Sequence, residues 1–174
     1  MEYEIRPVLP AEWRRSRDLR LASLRDPVAP LAFARTYAEE SVLGDDRWQQ
    51  RASGVGSQQF VAVGKGVAGA DGGAPVEERW VGMAVVVEER PGYFCVNAVY
   101  LVPEARGLGV ADRLLAVALD WGWQRADRLH LWVHEKNPRA EAFYRRLGFG
   151  RTGRTMRSPV DVSYTEYELA LDRP

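Results

Sequence analysis

The stretch VYLVPEARGLGVA at residues 99–111 joins an apolar, strand-like run to the start of a long amphipathic segment. Two glycines, Gly107 and Gly109, lie in the loop between them. The first backbone N–H groups of a helix have no partner within the helix, and glycine leaves them open to an approaching anion. The helix dipole favours each negative charge there by about 0.3 to 1 kcal/mol. The junction therefore predicts a phosphate-binding site.

A second strand and helix follow this junction. An apolar strand over residues 129–133 leads through Asn137 to a helix over residues 140–147. A predicted helix over residues 110–123 separates this strand from the strand of residues 93–102. Because a helix crosses between them, the two strands must run parallel.

Together these segments resemble the GNAT superfamily of acyl-CoA-dependent N-acetyltransferases. The loop pattern of that family is Gln or Arg, two residues, Gly, any residue, then Gly or Ala, and residues 106–111 meet it. Its second pattern is an Asn, a Tyr seven residues later, and then Gly-Phe. Asn137, Tyr144, Gly148 and Phe149 meet this second pattern in the right order.

The resemblance, which is specific over residues 94–150, implies an α/β (α+β) fold. We expect a single domain over residues 1–174, with a mixed central sheet of about six to seven strands and about four flanking helices. In the resembled family the two parallel strands splay apart, and the pantetheine arm of the cofactor lies in the opening. The resemblance thus implies acetyl-CoA as the cofactor.

The periodicity of the remaining chain predicts the other elements. We expect a glycine-rich loop from Gly64 to Pro75 that joins two strands of one sheet. The predicted strands lie at residues 3–7, 59–63, 80–87, 93–102, 129–133, 151–155 and 163–171, and the predicted helices at residues 11–24, 31–40, 47–51, 110–123 and 140–147.

The cofactor site is expected at the glycine loop and at the end of the strand before it. Backbone amides would bind the phosphates, which Arg106 could also face, and a backbone N–H near Leu101 or Val102 would meet the oxyanion. Asn137 could bind the cofactor arm, although capping of the following helix explains it equally well. The expected cofactor-binding residues are Leu101, Val102, Arg106, Gly107, Leu108, Gly109, Val110, Ala111, Asp112 and Asn137.

The resemblance makes Tyr144 the general acid that protonates the leaving thiolate. A phenol with a reference pKa of about 10 keeps its proton at neutral pH and can donate it. The alternative interpretation is an aromatic side chain that only packs on its helix face beside Phe143 and Leu147.

A general base is harder to identify. Many family members place a Glu on the strand before the loop, but Cys95 and Asn97 occupy that neighbourhood here. Several charged residues near strand ends could serve directly or through water, although each is also typical of a solvated surface. These candidates are Glu88, Glu89, His134 and Glu135.

The acceptor is expected beside the predicted helix of residues 31–40, because the family lines this side with its first helices. Aromatic residues would form an apolar wall, and carboxylates, including that of Glu39, would suit a cationic amine. The expected substrate-binding residues are Phe33, Tyr37, Glu40 and His134. We favour a small-molecule primary amine. A protein N-terminal or lysine acetyltransferase, a non-catalytic acyl-CoA sensor and a dinucleotide-binding domain are alternatives.

Composition narrows the partners. The 24 basic residues balance 24 acidic ones, which argues against nucleic acid as a partner. Apolar runs are far shorter than the roughly 20 residues of a membrane helix, so we expect no membrane partner and a cytoplasmic location. Cys95 is the only cysteine, and no third ligand accompanies His130 and His134, so neither a disulfide nor a metal site is expected. A homodimer is compatible with the sequence.

Overall fold

The core of the computed structural model, which describes residues 2–65 and 78–174, is a seven-stranded sheet in the order β1-β2-β3-β4-β5-β7-β6. Only β4 and β5 are parallel neighbours, as predicted. Most of the predicted glycine-rich loop falls on residues outside the described ranges. The strands are β1 (Glu2–Pro7), β2 (Ser57–Lys65), β3 (Glu78–Arg90), β4 (Tyr93–Leu101), β5 (Arg128–His134), β6 (Gly150–Arg157) and β7 (Thr165–Asp172).

Within residues 2–65 and 78–174, six α-helices accompany the sheet. Four of them have eight residues or more, and α2 and α3 are single turns of four and five residues. Among the described residues, no helix has the length and apolar character that crossing a bilayer requires. The helices are α1 (Trp13–Ser23), α2 (Ala29–Ala32), α3 (Tyr37–Ser41), α4 (Asp45–Ala52), α5 (Val110–Trp123) and α6 (Pro138–Arg146).

The prediction of one helix over residues 31–40 is wrong. Phe33 adopts an extended backbone conformation, with φ −132° and ψ 146°, and interrupts the segment between α2 and α3. Thr36 then caps α3, because its side chain accepts a hydrogen bond from the Glu39 N–H at 3.3 Å. The Glu39 carboxylate in turn accepts from the Thr36 N–H at 2.7 Å. This reciprocal capping box starts a new helix where the apolar spacing suggested continuity.

The main apolar core lies between α5 and one face of the sheet. Leu114, Leu115 and Ala118 of α5 are fully buried there against strand residues such as Leu129 and Leu131. A second cluster covers the opposite face, where Leu19 of α1 packs near β2 and β3. The two clusters cover both faces of the sheet.

Leu114→Ala should lower the free energy of unfolding by about 2 to 5 kcal/mol, because Leu114 is fully buried and the core can close the cavity only in part. Urea denaturation measures this change. Val42→Ala is the control, since Val42 is 80% exposed and its truncation should cost less than about 0.5 kcal/mol. Equal stability of the two variants would contradict the described core.

Candidate active site

The parallel strands β4 and β5 separate soon after they begin. Phe94 pairs with Leu129 and Cys95 with His130, and no later residues of the two strands pair. β4 nevertheless continues to Leu101 and β5 to His134. The predicted splay is therefore present, and backbone groups on the facing edges of both strands have no partner in the sheet.

A bulge in β4 orients the backbone beside this opening. Ala98 has a positive φ of 52°, and the register with β3 shifts between Met83 and Val85. Beyond the bulge, the Val102 N–H donates to the Val81 carbonyl at 2.8 Å. Alternation along an antiparallel ladder then turns the Leu101 N–H away from β3 and towards the opening. Of the two N–H groups predicted for the oxyanion, that of Val102 is already occupied and that of Leu101 faces the opening.

The glycine loop is open at the start of α5. Gly107 and Gly109 have φ values of +76° and +74°, a conformation that favours glycine. A Cβ atom added at either position would meet no heavy atom of the described residues within 4 Å. Gly109 is also the N-cap of α5 and supplies no side-chain hydrogen bond to the first turn. The amides of this turn are therefore open to an anion, and their contact with a diphosphate group stays a prediction.

The side chain of Arg106 is committed elsewhere. Its Nε donates to the Leu101 carbonyl at 3.0 Å, and its Nη2 lies 2.5 Å from the Asp26 carboxylate. Burial raises the pKa of Asp26, but hydrogen bonds from the Val28 N–H and from Arg106 outweigh it, so the pKa is lowered. The expectation that Arg106 faces the phosphates is thus corrected, because this ion pair holds the guanidinium against β4.

Tyr144 lies on α6 with its ring against Phe143 and Phe149, at centroid distances of 5.3 and 6.0 Å. Its hydroxyl has no hydrogen-bond partner in the part of the chain that the structure describes. Burial raises the pKa of Tyr144, and the nearby Cys95 thiol adds to this rise. The phenol therefore keeps its proton well beyond neutral pH.

Asn137 caps α6. Its Oδ1 accepts from the Ala140 N–H at 3.2 Å, which confirms the capping interpretation. Its Nδ2 donates to the Leu31 carbonyl at 3.3 Å and so ties the start of α6 to the end of α2. Contact with a cofactor arm stays a prediction.

A cavity of about 1470 Å³ connects the glycine loop with the C-terminal end of β5 and the adjacent N-terminal end of β7. Val102, Leu108, Val110 and Tyr37 are the predicted site residues that do not line it. The predicted residues that it brings together are Leu101, Arg106, Gly107, Gly109, Ala111, Asp112, Asn137, Tyr144, Phe33, Glu40 and His134. One continuous cleft therefore joins the predicted cofactor and acceptor regions.

The structure corrects two predicted acceptor contacts. Glu40 is only 2% exposed and accepts from Arg20 and Arg51, each at 3.0 Å. Its two oxygens are thus saturated within the protein. The Tyr37 hydroxyl accepts a hydrogen bond from Arg25, whose guanidinium lies over the Tyr37 ring. Both residues build the α1–α3 region and are not available to an amine.

Phe33 and His134 both line the cavity, and their contact with an acceptor stays a prediction. Phe33 is buried with its ring 6.3 Å from that of Tyr100 and forms part of the cavity wall. His134 ends β5 and lines the same cavity. Glu166, across from His134 on β7, also lines it and was missed in the sequence. The alternation of side chains along residues 163–171 indicated which face of the strand carries Glu166. It did not indicate which residues of other elements lie beside it.

Residues 31–149 match the family model described as "Acetyltransferase (GNAT) family". The chain belongs to this family.

Curated relatives of this GNAT protein match less than half of the chain. An uncharacterised N-acetyltransferase of Mycobacterium tuberculosis is 38% identical over 84 residues, which cover 45% of this chain and 52% of the relative. A mycothiol acetyltransferase of Salinispora arenicola is 41% identical over 70 residues, which cover 37% of this chain and 23% of that protein. The matched part thus spans about half or less of these relatives.

A solved structure shares the fold that the described residues show. Spermidine N-acetyltransferase of Vibrio cholerae, in complex with CoA and spermine, superposes with a TM-score of 0.65. The alignment covers 98% of this chain and 95% of that one at 15% identity. The likeness shows that the seven-stranded GNAT architecture is shared.

Glu40→Gln should destabilise the GNAT domain by about 3 kcal/mol at pH 7, because two arginines then lose their buried anion. Burial raises the pKa of Glu40, but Arg20 and Arg51 lower it more, so its net pKa is lowered. The stabilisation is therefore complete above the unfolded value of about 4.3 and is lost as the pH falls through the lower folded value.

Urea denaturation of the wild type and of Glu40→Gln at pH 7 and at pH 3 measures both effects. The difference in the free energy of unfolding between the wild type and Glu40→Gln should be smaller at pH 3 than at pH 7. Glu104→Gln is the control, since Glu104 forms an exposed pair with Arg79 and should change stability little. A stable Glu40→Gln protein with a raised KM for amines would restore the acceptor role.

Proposed function

We propose that the chain is an N-acetyltransferase that moves an acetyl group from acetyl-CoA to a primary amine of a small molecule by direct attack in a ternary complex. The single observation that supports this most strongly is the open, uncapped start of α5 beside the separated strands β4 and β5. Family membership supports the same reaction class. The cavity that joins both features also contains Tyr144.

The residues present fit coenzyme A. The amides of residues 107–112 would hold the diphosphate at the start of α5. The unpaired edges of β4 and β5 would hydrogen-bond the amides of the pantetheine arm, as an added strand would. When bound, acetyl-CoA supplies a thioester with a carbonyl carbon that an amine can attack.

Two protein groups would serve the transfer. The Leu101 N–H points to the opening, where it can stabilise negative charge on a carbonyl oxygen. The Tyr144 hydroxyl stays protonated because burial raises its pKa. Its proton is free to be donated, since the hydroxyl forms no hydrogen bond with any described residue. A protonated phenol in the cavity suits the protonation of a leaving thiolate.

The acceptor is proposed to be small, and residues of α2, Phe33 and the sheet line the cavity that would receive it. The comparison proteins include a mycothiol acetyltransferase and a protein solved with spermine. We also propose a cytoplasmic location, where a free thiol such as that of Cys95 stays reduced.

Gly109→Val should raise the dissociation constant of CoA at least tenfold, because the valine side chain would occupy space beside the first amides of α5. Isothermal titration calorimetry measures it. Gly92→Val is the matched control, since Gly92 has nearly the same φ of +75° and equally open surroundings in the β3–β4 turn. Unchanged CoA affinity in Gly109→Val would argue against the loop as the diphosphate site.

Tyr144→Phe should lower kcat about 100-fold or more while the dissociation constant of CoA stays the same, because packing is kept and the proton is lost. A thiol-release assay over a panel of primary amines measures kcat. Tyr167→Phe is the control, since Tyr167 packs on the same core but does not line the cavity. Unchanged turnover in Tyr144→Phe would leave only the packing role.

A further inference from the structure

Two buried polar side chains, those of His134 and Glu166, lie side by side on adjacent strands and line the cavity. His134 on β5 is opposite Glu166 on β7 in the sheet register. Directly opposed residues of an antiparallel pair project from the same face, so both side chains lie on one side of the sheet. Leu131 and Val133 of β5 join the α5 core, which places His134 and Glu166 on the opposite face.

We propose that Glu166 binds the ammonium group of the acceptor and removes its proton as the general base, and that His134 beside it acts as a hydrogen-bond donor. This inference rests on the proposed function. The proton passes from R–NH₃⁺ to the Glu166 carboxylate, which gives a neutral carboxylic acid and an amine whose lone pair is free to attack the thioester.

Glu166 differs from the other buried carboxylates. Glu168 accepts from Tyr93, Thr152 and Arg154, and Glu40 is held by two arginines. Glu166 is 9% exposed, yet the described part of the chain places no arginine, lysine or histidine nitrogen within 4.0 Å of its carboxylate. A buried carboxylate without a cation is costly, and a cationic ligand would supply the missing charge.

The hydrogen bonding of His134 decides which of the two residues can accept a proton. Its Nδ1 accepts from the Lys136 N–H at 3.0 Å. A neutral imidazole whose Nδ1 accepts must carry its proton on Nε2. Nε2 of His134 is therefore a hydrogen-bond donor. It can bind a substrate oxygen or a water molecule, but it cannot remove a proton. Of these two residues, only Glu166 can act as the proton acceptor.

The surroundings of Glu166 tune it for proton uptake. Burial raises the pKa of Glu166, while the Ser158 hydroxyl and His134 act in the opposite direction and leave a net increase. Met156 is its neighbour on β6 and carries no charge. Titratable groups near the pair include Asp161, whose pKa is lowered in part by the charge of His134, and Tyr164, whose ring lies 5.0 Å from that of His134. Glu135 is also close, since its carboxylate accepts a hydrogen bond from the Thr165 N–H at 2.7 Å. Arg35 lines the same cavity from the segment before α3.

The cavity walls next to Glu166 specify the rest of the acceptor. Trp132, Met156 and Phe33 line the same cavity as Glu166 and add apolar surface to its wall, with Met156 directly opposite Glu166 in the sheet register. An alkylammonium group with an apolar substituent satisfies both features, because its charge meets Glu166 while its carbon chain contacts these side chains. We therefore infer a primary alkylamine or arylalkylamine as the acceptor class.

The kinetic test uses 2-phenylethylamine and acetyl-CoA with the full-length protein from pH 5 to pH 9. For the wild type, kcat should fall as the pH falls through the raised pKa of Glu166, because the protonated acid cannot act as a base. Glu166→Gln should lose about 100-fold in kcat and should also lose this acidic limb. Asp172→Asn, a change at an exposed carboxylate of the same strand, should keep both.

His134→Gln separates the two candidate bases. The glutamine amide can donate a hydrogen bond, as Nε2 does, but it cannot accept a proton near neutral pH. We expect His134→Gln to keep the acidic limb. Loss of the acidic limb in His134→Gln would overturn the assignment of Glu166 as the base. A Glu166→Gln protein that keeps the acidic limb and loses less than threefold in kcat would also overturn it.

A binding test is independent of turnover. In protein labelled with ¹³C at glutamate, the Glu166 carboxyl resonance is identified by its absence in Glu166→Gln. It should titrate above the ordinary value of about 4.3 and shift when 2-phenylethylamine is added, but not when 2-phenylethanol is added. No shift with the amine would refute the site. If calorimetry instead detects no binding of CoA to the wild type, the proposed function is refuted.

Discussion

The separation of β4 and β5 after only two residue pairs is the constraint on which the rest of the site depends. A buried backbone N–H or C=O group needs a partner, and two strands that diverge leave several such groups unpaired. The bulge at Ala98 keeps β4 bonded to β3 while it turns the Leu101 N–H towards the opening. The sheet thereby has an edge with unpaired hydrogen-bonding groups in its middle.

Charged side chains near the opening stabilise the frame, and backbone groups are left for the ligand. Arg106 ties the loop to Asp26, and Arg146 of α6 pairs with Asp112 in the first turn of α5 at 2.7 Å. These ion pairs fix the borders of the cleft. Because the first turn of α5 has no side-chain cap, its amides stay available. Side chains thus stabilise the borders of the cleft, while the backbone amides of the glycine motif stay free for binding. This explains why a short glycine motif carries so much information about function.

The sequence predicted well what depends on local pattern. The long helix over residues 110–123 and the loop at residues 106–111 follow from apolar spacing and from glycine. Contacts across the chain were beyond such reasoning. Glu40 faces arginines 20 residues before it and 11 residues after it, and nothing in its neighbourhood specifies this pairing. The occupied N–H of Val102 likewise depends on a register with β3 that one bulged residue sets.

The partners of the buried carboxylates show how burial alone can mislead. Glu40, Glu168 and Glu166 are all nearly inaccessible, and desolvation opposes ionisation in each. Arginines, or hydroxyls together with an arginine, reverse that effect for Glu40 and Glu168 and make them permanent anions that hold elements together. Glu166 has only a hydroxyl and a histidine nearby, so the raising effect prevails. A carboxylate that exchanges protons must lack a permanent cation, and among these three only Glu166 meets that condition.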